Sequence, residues 1–215
     1  MDNFLNNKVE WIKISSISGL LGIVLYFLAA FAPLPDVVSY IAAFAFGPLL
    51  AVGCVGLYQC LSAHKKSPFL QIGLFCAISS GLLILLMLTV QQSIFEMINK
   101  ANTIENLPDS IYNFLYYTIN SVHWGIDVAF DIMLSVATII FGICMLKHPR
   151  FGKIFGGLGV ILGSLLLSFN IYFFPTPPES VNSIDWGPFT ALWFTLAFIL
   201  LFFSRRWIVK ILNEK

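Results

Sequence analysis

Six stretches of this sequence stay apolar for about as long as a bilayer is thick, and that repetition rules out most soluble folds. A helix needs about 20 mostly apolar residues to cross the roughly 30 Å hydrocarbon core. There every backbone polar group must be satisfied within the chain, which a helix does by itself. The stretches cover residues 14–32, 37–61, 69–90, 119–146, 151–174 and 188–204. With 58% hydrophobic residues against 11% charged, 21 Phe and a mean hydropathy of +0.86, too few charges remain to cover a soluble core. The expected fold class is all-α, a polytopic transmembrane bundle of six helices forming one domain over residues 1–215.

The interruptions between the stretches carry ordinary turn chemistry. Residues 1–12 read as a polar, interfacial lead-in with Trp11 at headgroup level, and nothing in them resembles a cleaved signal peptide, so the first stretch is expected to be a retained anchor. Pro33 and Pro35 close the first stretch, and Gly47-Pro48 predicts a kink in the second. The longest polar interruption, residues 91–114, reads as a weakly amphipathic surface piece carrying Ile94, Phe95, Ile98 and Ile104 and broken at Pro108. In the fifth stretch Gly152, Gly156, Gly159 and Gly163 have the small-residue spacing that lets helices approach closely.

Charge placement tests the topology. With six crossings, one side of the membrane receives Lys8, Lys13, Lys65, Lys66, Lys147, Arg150, Lys153, Arg205, Arg206, Lys210 and Lys215, leaving only Lys100 of the 12 basic residues on the other. Asp36, Glu96, Glu105, Asp109, Glu179 and Asp185 fall on that other side. The positive-inside rule then makes both termini cytoplasmic. The formal net charge of +1 offers no footprint for nucleic acid. Cys54, Cys60, Cys76 and Cys144 all lie in apolar runs without ligand spacing and read as small hydrophobes.

Chemistry concentrates in the fourth stretch. Asn120, His123, Asp127 and Asp131 are spaced by three, four and four residues and so share one helix face. Ionisable groups in a membrane helix are costly unless paired, solvated or used, which makes this stripe the candidate site. Counting about 20 residues back from Leu146 places the outer hydrocarbon boundary near Asp127. Asp131 then lies roughly 6–8 Å below it, while His123 and Asn120 lie near or above it. Asn170 and Ser168, Thr89, Gln91 and Gln92, and Ser39 and Tyr40 come to the same level from other helices.

Several uses of this stripe stay open. His123, Asp127 and Asp131 could together hold a metal or other cation, although a zinc site would ask for a further ligand from another span. They could handle a proton or a small solute, possession of a single stripe suggesting a homo-oligomer for transport. A carboxylate could activate water in a membrane-embedded hydrolase, but the chain has neither HExxH nor GxSxG. Or the stripe could be an interhelical hydrogen-bond network with Asn170 as partner. Binding of a small ligand or cation at an outward-facing polar site, coupled to transport, is the leading expectation. Membrane lipids are the other expected partners, and no motif specifies a cofactor.

The segments His123 to Asp131, Lys147 to Gly152, Phe169-Asn170, Phe173 to Pro178 and Asp185 to Phe189 resemble a group of small uncharacterised bacterial integral membrane proteins. The resemblance is stronger in the C-terminal half. It implies a multi-pass protein of the bacterial inner membrane and carries over no activity and no catalytic residue.

Overall fold

A computed structural model describes residues 2–101, 108–205 and 207–209. The described chain is helical throughout, in the order α1 (Asp2–Phe31), α2 (Asp36–His64), α3 (Pro68–Ala101), α4 (Asp109–Met145), α5 (Gly152–Phe173) and α6 (Gly187–Phe203), with a 3-10 turn at Pro178–Val181. Five of these helices contain stretches long and apolar enough to cross a membrane: Val9–Phe31, Asp36–His64, Pro68–Ala101, Ser110–Met145 and Gly152–Phe173. The protein is a multi-pass, all-helical membrane protein. The sixth expected crossing corresponds to α6, which is apolar but has 17 residues, about 25 Å of helix. An Asx turn, Gly187 N–H to Asp185 Oδ1 at 2.7 Å, and Pro188 set its first turn.

The polar interruption between the third and fourth stretches differs from expectation. Instead of a separate surface piece, α3 continues through Gln91, Gln92 and Glu96 to Ala101, and α4 starts at Asp109. The residues from 91 to 101 are polar but helix-compatible, with no Gly or Pro among them, so polarity alone does not end the helix. Pro108 sets the start of α4, its carbonyl accepting from Ile111 and Tyr112 N–H at 3.0 and 3.1 Å. Ile104 lies outside the described residues. With 34 and 37 residues, α3 and α4 are about 51 and 55 Å long, well beyond one hydrocarbon thickness.

Neighbours in sequence pack side by side, and α6 returns to lie against α1, with further contacts to α2 and α5. Small residues decide how closely these helices meet. Gly47 of α2 and Gly81 of α3 face each other, and a Cβ on Gly81 would lie 2.7 Å from the Gly47 carbonyl oxygen. Pro48 continues α2 rather than ending it. Gly19 and Gly53 make the notch for the Phe198 ring of α6, whose side chain is fully buried.

The expected glycine stripe of α5 divides its work. Gly156 meets Gly142 of α4, where a Cβ would fall 2.6 Å from the Gly142 carbonyl oxygen, and Gly163 meets Ser135 and Ile139. Gly159 instead receives the Trp193 indole of α6. That indole donates to the Phe155 carbonyl at 3.0 Å and stacks on the Phe155 ring. Gly152 packs against neither helix, and its φ of 78° serves the turn into α5.

At the end holding the C-terminus of α2, the α4–α5 turn and the end of α6, the bundle is sealed by rings. His148 is buried, with ring centroids 5.2 Å from His64, 5.1 Å from Phe151 and 4.7 Å from Trp207. Its Nδ1 accepts the Arg150 N–H at 3.2 Å. The Arg150 guanidinium donates to the Phe203 carbonyl in the last turn of α6 at 3.3 Å. Burial, with the neighbouring His64 and Arg150 charges adding to it, pushes the His148 imidazole down to about 4 from 6.5.

Two outcomes follow from this packing. Gly156→Leu should lower stability by about 1–3 kcal/mol, because the added side chain forces α4 and α5 apart. Gly157→Ala, where a Cβ meets nothing within 4 Å, should be close to neutral. Detergent-titrated unfolding of the two variants checks the difference, and equal effects would refute the packing assignment. For His148 the unfolded chain binds the proton first, so stability should hold above pH 6.5 and fall as pH drops towards about 4. Thermal midpoints measured over that window should lose part of their pH dependence in His148→Gln.

Candidate functional site

The α4 stripe runs from the outer part of the bundle into its interior. Asn120, His123 and Asp127 are half-buried, whereas Asp131, two turns below His123, is only 7% exposed. Asp131 meets Asn170 of α5: the Asn170 amide Nδ2 donates to Asp131 Oδ2 at 2.9 Å and to the Leu166 carbonyl at 3.0 Å. Asn170 is fully buried, and its amide oxygen has no partner among the described protein atoms. A hydrogen bond to a carboxylate is among the stronger kinds, and in a dry interior the alternative is an unsatisfied polar group. This is a buried interhelical polar network between α4 and α5.

His123 makes a different contact. Its Nε2 lies 3.0 Å from the Met87 sulfur of α3. A thioether can only accept, so Nε2 is the protonated nitrogen, and the buried Nδ1 has no protein partner. Neither contact builds a nucleophile with its base. Among the described residues no three His, Cys, Asp or Glu side chains are grouped to hold a metal ion.

Beside the stripe lies a cavity of about 770 Å³. Its walls come from the C-terminal part of α1, the N-terminal half of α2, the C-terminal part of α3, the middle of α4 and the start of α6. These parts share the end of the bundle opposite the His148 ring cluster. His123, Asp127 and Asp131 all line it, together with Gln91, Gln92, Ser39 and Tyr40 from the polar level expected in other helices. The Tyr40 hydroxyl donates to Glu96 Oε1 at 3.0 Å, joining α2 to α3 at the rim.

Other expected members stand apart. Asn120 is not on the cavity wall, and Asn170 reaches the site through Asp131 rather than by lining the space. Ser168 is exposed, and the Thr89 hydroxyl turns back to its own helix at the Leu85 carbonyl, 2.8 Å away. Two lining carboxylates, Asp36 and Asp185, escaped the sequence reading as site members. Their signal was available: each lies at the start of an apolar stretch on the less basic side. Comparison of the chain with protein-family models, curated proteins and solved structures finds no match.

Proposed function

We propose that the Asp131–Asn170 pair is a structural tie that sets α4 against α5 in a six-crossing protein with both termini in the cytoplasm. The observation carrying this reading is the 2.9 Å amide-to-carboxylate contact between two buried side chains on different helices. A hydrocarbon environment gives helices little reason to prefer one rotation about their axes over another. A single satisfied polar pair supplies that reason, because any other rotation strands a carboxyl group. Support for α6 as the sixth crossing comes from its ends. Trp207, just after it, reaches the His64 and His148 rings, while its first turn reaches the cavity at the other end of the bundle. The likeness to small bacterial integral membrane proteins favours the inner membrane.

A double-mutant cycle tests the tie. Asp131→Leu and Asn170→Leu should each change stability, with a coupling energy of about 0.6–1.7 kcal/mol between them. Additive effects would show that the two side chains do not act on one another.

The cavity favours a second reading, in which the outward-facing end binds a small ligand or cation. A space of about 770 Å³ is in the range of small-molecule sites, and its polar groups lie among apolar walls as such sites have them. In oriented vesicles carrying a variant stripped of the native cysteines, Gln92→Cys should react with a membrane-impermeant maleimide added outside. Lys65→Cys, exposed at the opposite end, should not. The reverse pattern would invert the topology, and an inert Gln92→Cys would close the cavity to the outer solution.

A further inference from the structure

We infer that the cavity takes a lipophilic organic cation, a protonated amine or quaternary ammonium or phosphonium with an apolar body. This rests on reading the cavity as a ligand site. Its charged walls are of one sign: Asp36, Asp127, Asp131 and Asp185 line it, and among the described residues no Lys or Arg does. An anion would meet like charge on α2, on α4 and just before α6 at once. A cation meets carboxyl groups from all three places, and Asp131 on α4, the most buried of them, attracts it with less screening than an exposed charge would.

Volume decides what kind of cation. A bare metal ion fills only a small part of about 770 Å³ and would need converging ligands, and among the described residues no such trio exists. Beside these carboxylates and neutral polar groups such as Gln91 and Gln92, the wall carries aromatic rings, Phe27, Phe46, Phe130 and Phe194 with Tyr26 and Tyr40. Aromatic faces attract organic cations and at the same time bury their hydrocarbon. Charge and apolar surface are therefore asked for in the same ligand.

Two of the carboxylates are also held in place. Asp185 is fixed by the Gly187 N–H at 2.7 Å and Asp131 by Asn170 at 2.9 Å. Asp127 stands one turn above Asp131, about 6 Å nearer the outer end. Acceptors placed beforehand cost the ligand little ordering on binding. An entering cation thus meets carboxyl groups at the helix starts, then along α4 to the deepest one.

The test is calorimetric titration of the full chain in detergent with tetraphenylphosphonium, tetraphenylborate and triphenylmethanol as cationic, anionic and neutral probes. The cation should bind at least about tenfold more tightly than the neutral probe, and the anion should not bind. Asp127→Asn and Asp185→Asn should each weaken cation binding about tenfold and leave the neutral probe unchanged. Neither residue belongs to the Asp131–Asn170 tie, and unchanged elution and tryptophan emission would show each variant folded. If one variant fails to fold, the other decides. Binding of the neutral or anionic probe as tight as the cation would overturn the cation assignment while leaving a ligand site. Cation binding indifferent to both substitutions would place the probe outside the cavity and also overturn it. Binding of no probe to folded protein would remove the ligand site itself.

Discussion

A carboxyl group carried into the interior of a membrane bundle must be met by a donor from the protein, and Asn170 meets Asp131. That one requirement ties together much of the arrangement around it. It fixes which face of α4 turns towards α5, and the same face then presents His123 and Asp127 to the space between the other helices. Gly156 and Gly163 allow the backbone approach that brings the two side chains within reach. Packing and polarity therefore specify one helix pair together, as a polar contact in hydrocarbon is short-ranged and needs the helices close.

The two ends of the bundle have opposite characters. Towards the basic end, Phe198 fills the notch between Gly19 and Gly53, and the His64, His148, Phe151 and Trp207 rings close the base. Arg150 ends α6 by donating to its last turn. Towards the other end, space remains among α1, α2, α3, α4 and α6, and acidic groups line it. The acid-lined space and the tight base reflect where glycines, rings and carboxylates are placed along the same helices.

Some of this was legible from residue order. The apolar blocks announce a membrane bundle because hydrocarbon imposes a length, and Asn170 was identifiable as a partner because it is the polar residue of the fifth block at the depth of Asp131. The reach of α3 and α4 was not legible. Polarity between residues 91 and 101 marks where the lipid ends, whereas the helix ends only where backbone hydrogen bonding does. The glycines of α5 had a recognisable spacing, but their division between Gly142 and Trp193 depends on which helices stand on either side. Asp36 and Asp185 looked like loop charges, since their distance from the α4 stripe along the chain hides their shared wall.

Sequence alone determined the class of solvent in which this protein folds, the helical answer to it, the basic and acidic sides, and the stripe from Asn120 to Asp131. These follow from composition and period, which are local properties of the chain. Tertiary structure alone decided that the Asn170 partnership, one of several uses open to the stripe, is made, that His123 turns to Met87, and that Asn120 stands outside the cavity. It also decided that four carboxylates, from α2, α4 and the turn before α6, line one space. Residues on one helix face share a direction, but only the neighbouring helices determine whether that direction leads to a partner, a wall or an opening.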